Sequence, residues 1–215
     1  MKKLIITTVA LLMATSAYAT DLPSKKAAPA APAAAPAASS ASVDSLTVQY
    51  GQDLGNNFGA KVDDQYTVSY KHNIGNGFSV GAQAQTTQAS NALLKQNLEA
   101  QAGYALAPMY GVGLSGKVGV GERFVDTGNF PYFALYGNAD YAIGSGVTIN
   151  AIQYRYRSAF DTGSYGYQSH QIGTGITYDF NSTYSVSAKI ARNYDTTSSM
   201  NATGDVVMAG LTVKF

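Results

Sequence analysis

The sequence predicts an antiparallel up-and-down β-barrel that crosses a membrane, and three observations carry that reading. From Leu46 to the C-terminus, apolar and polar residues alternate with period two, as in strands with one apolar and one polar face. The polar faces hold roughly one charge per strand among Gly, Ser, Thr, Gln and Asn, where a soluble barrel would expose about 25–35% charged residues. Aromatic residues gather at segment ends, as at Tyr70, Phe78, Tyr104, Tyr110, Phe180 and Tyr184, where amphipathic rings suit a membrane interface. Each segment is about nine to twelve residues, enough for a tilted strand to cross an apolar band of about 25 Å.

Composition narrows the function. The chain has 215 residues, of which 13% are charged, against about 25% in a typical soluble domain. It contains no cysteine, which excludes a disulfide scaffold, a Cys-ligated zinc or iron–sulfur site and a cysteine-anchored lipid. The formal charge of +1 becomes −1 if Lys2 and Lys3 leave with a leader, so no nucleic-acid footprint is present.

The elements follow in order. Residues 1–19 read as a secretory signal: Lys2-Lys3, an apolar run from Leu4 to Ala14, and Ala17-Tyr18-Ala19 for cleavage after Ala19. Residues 20–43, with AAPAAPAAAPAASSAS, read as a semi-extended periplasmic linker, since prolines among alanines sustain neither helix nor ladder. Residues 44–215 form the barrel. Its first strand carries Leu46, Val48 and Tyr50 on one face, and its second Tyr66, Val68 and Tyr70. Asn76-Gly77 supplies a hairpin turn, because both residues tolerate positive φ. Apolar sets at Phe78–Ala84, Leu98–Leu106, Val112–Val120 and Phe133–Ile143 give strands three to six. In the seventh, apolar parity changes between Val147-x-Ile149 and Ile152-x-Tyr154-x-Tyr156, which predicts a β-bulge near Asn150. Ile172–Phe180, Tyr184–Ile190 and Val207–Phe215 complete ten strands, with eight or twelve the alternatives if an end strand is misassigned. Connections expected at 54–64, 86–95, 122–131, 159–167 and 196–203 are long and polar; those at 74–77, 107–109, 144–146 and 181–183 are short. Strict alternation of the two places both barrel ends on the short-turn side.

Val207-x-Ala209-x-Leu211-x-Val213-x-Phe215 resembles the C-terminal signature of Gram-negative outer-membrane β-barrels. The resemblance implies export to the outer membrane, contact with its lipid and lipopolysaccharide, and recognition of the last strand by the barrel-assembly machinery. Ala19-Thr20-Asp21-Leu22-Pro23 also resembles the start of mature alphaproteobacterial porin-like barrels. Gly175-Ile176-Thr177-Tyr178-Asp179-Phe180 is similar to the end of their small eight-stranded members, from which this chain departs by one more hairpin, 184–215.

Catalytic candidates are few. Ser169-His170 with Asp161 is the one local grouping that contains a nucleophile and a base, but adjacent strand residues face opposite sides. His72 lies beside a turn, and His170 reads as an interfacial histidine. Neither catalytic residues, a metal nor a cofactor is expected. The polar parity is more informative. It places Lys71, Glu99, Lys117, Arg123, Asp140, Arg155, Arg157, Asp179, Lys189 and Lys214 inside, an excess of cations that biases a pore toward anions. Inward glycines at 81, 103, 113, 119, 173 and 175 are expected to leave extra room. A tight turn centred near Pro108 is expected to set Glu99 opposite Lys117 as an ion pair. The expected function is a narrow passive porin-like channel for small solutes. The alternatives are a non-conducting structural or surface-interaction barrel and, remotely, an outer-membrane hydrolase.

Overall fold

The computed structural model describes residues 43–89, 94–195 and 201–215. The expected leader, and the linker up to residue 42, lie outside the described residues. Ten strands follow: β1 (Ser45–Leu54), β2 (Lys61–Gly75), β3 (Phe78–Ala89), β4 (Leu94–Ala105), β5 (Val112–Val125), β6 (Gly128–Gly144), β7 (Val147–Ala159), β8 (Gln168–Asp179), β9 (Tyr184–Asp195) and β10 (Asn201–Lys214). A single helical turn, α1 (Thr162–Tyr165), precedes β8. Each strand pairs antiparallel with its chain neighbours, and β1 pairs with β10, so the sheet closes and leaves no edge.

The two faces of the wall are inverted relative to a soluble protein. Outward-facing Val48, Val118, Val120, Ile152 and Leu211 are 48–57% exposed, while Gln65, Thr67, Gln85, Asn97, Glu99 and Arg157 are buried inside. An exterior of large apolar side chains around a polar interior is the pattern of a strand wall facing lipid. Above the apolar band the wall turns polar outside as well, where Asn129 donates to Glu122 across β5 and β6.

Three of the short connections are tight turns whose two central residues both have positive φ: Asn76-Gly77 (51° and 83°), Tyr110-Gly111 (53° and 80°) and Ser145-Gly146 (51° and 78°). This is the mirror-image turn whose twist matches the flanking strands. In the fourth, the Asn181 side chain accepts from the backbone N–H groups of Thr183 and Tyr184, both at 2.8 Å.

The second of these turns corrects the register expected from Pro108. The chain reverses at Tyr110-Gly111, so Glu99 opposes Gly121 and Lys117 opposes Gly103. Glu99 and Lys117 are therefore not a directly opposed pair. The expected long connection at 122–131 is also corrected: Val125 pairs with Gly128, leaving a two-residue turn at 126–127. Polar residues there continue the ladder beyond the apolar band, which the composition alone suggested was loop. Likewise β2 reaches back to Lys61 within the expected 54–64 connection. The parity change in β7 is a bulge, with register shifts at Ala139/Asp140 and between Asn150 and Gln153.

Candidate functional site

The alternation that faces apolar residues outward aims the charged residues into the lumen, and all ten charged residues expected inside lie on that side. They separate into three groups by what they touch. At the short-turn end, Lys214 Nζ bonds Asp179 Oδ1 at 2.6 Å, and Asp140 Oδ1 accepts from Asn150 Nδ2 at 3.0 Å. Lys71 lines a cavity of about 200 Å³ there, together with Thr47, Ser69, Gln101 and Lys117.

Nearer the far end, a network crosses the bore. Arg157 on β7 is 1% exposed and Glu99 on β4 is 2% exposed, with Nη2 3.3 Å from Oε2. Glu99 also accepts from Tyr132 Oη at 2.9 Å, from Gln101 Nε2 at 2.7 Å and from Tyr136 Oη. Arg157 Nη1 donates to Gln85 Oε1 on β3 at 2.8 Å, and its guanidinium lies 5.4 Å from the centre of the Tyr132 ring. A buried ion pair persists only where hydrogen bonds satisfy most of its remaining donors and lone pairs; here they engage both Nη atoms of Arg157 and both Glu99 oxygens, leaving Arg157 Nε buried without a partner. Arg123 belongs to the same end. Its Nη1 donates to Asn97 Oδ1 at 3.0 Å, and its guanidinium lies over the Tyr167 ring at 4.5 Å.

Between these two zones, Lys117, Arg155 and Lys189 line a cavity of about 210 Å³. Lys117 Nζ donates to Gln101 Oε1 and Lys189 Nζ to Gln171 Oε1, both at 3.1 Å.

Of the inward glycines, Gly113 faces open space, while others serve as seats for long side chains. A Cβ on Gly119 would stand 2.6 Å from Glu99 Oε1, one on Gly103 2.9 Å from Lys117 Cγ, and one on Gly173 3.0 Å from Lys189 Cε. Long charged side chains thus lie along the wall over neighbouring glycines.

Sequence reasoning missed five lumen residues. Tyr132 and Tyr136 share the polar parity of β6 beside Phe133 and Leu135, which was their signal. Asp53, Asp63 and Lys95 continue the inward parity of Gly51, Gln65 and Asn97 into stretches outside the expected strand segments. Asp53 and Asp63 are directly opposed, and each has a buried Oδ1 without a hydrogen-bond partner.

The grouping around His170 does not assemble a catalytic site. Ser169 faces the lumen, while His170 faces outward, its Nδ1 2.6 Å from Tyr154 Oη and its ring 4.7 Å from that of Tyr156. Asp161 instead accepts from Ser164 N and Oγ to cap α1. His72 Nδ1 lies 2.7 Å from Asp44 Oδ1 at the short-turn rim. Burial opposes charge on Asp44, yet hydrogen bonds from Tyr70 and His72 hold its carboxyl below the usual carboxylate range. Among the described residues, no group of three or more His, Cys, Asp or Glu is placed to hold a metal ion.

On β10, Val207, Ala209, Leu211 and Val213 face outward along the seam with β1. Phe215 and Asp44 exchange both backbone hydrogen bonds at 2.9 Å.

No protein-family model matches the chain, and no curated protein sequence does. Among solved structures, it is similar to an outer-membrane channel from Pseudomonas putida F1, at 8% identity and a TM-score of 0.50, over 85% of this chain and 100% of that one. It is also similar to the KdgM porin, at 13% identity and a TM-score of 0.46, over 80% and 99% of the two chains. Neisserial surface protein A matches at 14% identity and a TM-score of 0.38, over 80% and 96%. The shared feature is the fold: the chain is a closed antiparallel β-barrel of the outer-membrane type. Its particular sequence is ten-stranded, with a basic and amide-rich lumen.

Proposed function

We propose that this barrel is a narrow passive channel of the bacterial outer membrane for small hydrophilic solutes. One observation carries the reading: two polar cavities, of about 200 and 210 Å³, share Ser69 and Lys117 and run from the short-turn end into the middle of the barrel. A barrel that served only as a wall has no need of water-accessible space beside uncompensated cations. In this reading the short turns face the periplasm and the apolar band meets outer-membrane lipid and lipopolysaccharide. The β10 strand ending at Phe215 is then the segment that the barrel-assembly machinery recognises. The network of Glu99, Arg157 and Gln85 narrows the bore, so the solutes are small and the current per channel is low. Refolded full-length protein in a planar bilayer is expected to give small ohmic current steps. A heat-modifiable, folded barrel that gives no steps would leave a sealed structural or surface-interaction role in its place.

A further inference from the structure

The middle cavity has the chemistry of an anion site. Lys117, Arg155 and Lys189 reach it from alternate strands β5, β7 and β9, and among the described residues no carboxylate lines it. Glu99 is engaged by Arg157, and the lumen carboxylates Asp53 and Asp63 do not line the cavity. Each lysine ammonium has three donors; one on Lys117 goes to Gln101 and one on Lys189 to Gln171, both neutral amides. Arg155 Nε is buried with no hydrogen-bond partner. Cations held together away from water are costly unless an opposite charge joins them. The lysine stems are pre-positioned, since Gly103 and Gly173 leave the seats in which they lie. Gln49, Gln83 and Gln153 supply further amide groups for hydroxyls or bound water.

We propose that this cavity binds a compact oxyanion, a carboxylate or phosphate, during its passage through the barrel. It rests on the channel reading for the route of entry, which leads past Lys71 through the lower cavity that shares Lys117. The space of about 210 Å³ has room for several waters or one small ion with its hydration. That suits inorganic phosphate or a four-carbon dicarboxylate and is too little for a sugar oligomer.

Isothermal titration of the folded full-length barrel in detergent, with inorganic phosphate and with succinate as separate probes, tests the site without requiring conduction. Saturable binding is expected, weakened about tenfold or more by Lys189→Gln and by Arg155→Gln. Lys214→Gln, whose charge Asp179 already answers, should leave it unchanged. Binding of one probe alone would assign the oxyanion class, and binding of both would assign a general oxyanion site. As a check needing no variant, either anion should raise the urea midpoint of the wild-type barrel above that in chloride of equal ionic strength. Absence of saturable binding by both probes, or binding equal in the two cavity variants and wild type, would overturn the site. Retained binding with no bilayer current would instead overturn the channel reading and leave the site standing.

Discussion

An arginine sealed from solvent must be answered by a negative charge, and for Arg157 that charge is Glu99, 3.3 Å away. Removing the carboxylate leaves the guanidinium without a counter-charge, a loss of about 3–5 kcal/mol for a buried pair. Glu99→Gln is therefore expected to destabilise the barrel strongly, and Arg157→Gln added to it should cost far less than Arg157→Gln alone. The coupling should be about 1–3 kcal/mol, read as urea midpoints of barrel refolded into vesicles. Lys117 is linked to Glu99 through the amide of Gln101 and through Tyr136, whose ring it faces at 4.8 Å, so the Glu99–Lys117 cycle should couple more weakly than the Glu99–Arg157 cycle. Equal coupling in the two cycles would refute the assignment of Arg157 as the partner. Ten of the lumen charges were legible, because parity assigns each to the lumen. Their partners were not, since pairing depends on register, and Pro108 drew the turn away from Tyr110-Gly111, where the chain reverses.

At the scale of the strand and its turn, glycine positions decide what the hairpins tolerate. Gly77 has φ of 83°, and a Cβ there would collide with the Ala105 carbonyl oxygen of the next hairpin. Gly77→Ala is expected to cost more than about 1 kcal/mol and to slow refolding, because the native backbone conformation disfavours any side chain. Asn76→Gly, at φ 51°, should be close to neutral. Urea titration and refolding monitored by gel mobility would separate the two; similar losses for both would mean that the turn's φ angles do not control this hairpin. All ten strands were legible from alternation, and so was the bulge in β7, since inverted parity has few other physical causes. The outer ends were not. Residues 122–131 mix polar and apolar side chains on both faces, with Phe124 outside and Phe130 inside, and such a stretch reads as a loop until its pairing is seen. Asp53, Asp63 and Lys95 were missed for the same reason.

For the molecule as a whole, closure is the dominant constraint. A lipid-facing sheet with one unpaired edge leaves backbone groups unsatisfied, each costing several kcal/mol. The last stitch of the seam is the exchange between Phe215 and Asp44, and beside it Lys214 N donates to Thr183 O at 2.7 Å. Deleting Phe215 is expected to lower the yield of heat-modifiable barrel in the outer-membrane fraction and to increase degradation during export. An unchanged yield would show that the seam closes without its terminal pair.

The reclining lysines have a consequence for how such a lumen changes over time. Its charge resides in side chains such as Lys117 and Lys189, but the room for the Lys117 stem is set by the hydrogen atom at Gly103 on the neighbouring strand. A methyl group at Gly103 would press on the Lys117 stem at Cγ and shift that side chain without altering its charge, whereas one at Gly173 would first meet the Ile190 carbonyl oxygen at 2.7 Å and strain the wall itself. The position of a charge and its sign are thereby two separately adjustable dials, and the first is turned from the next strand by a residue that carries no charge.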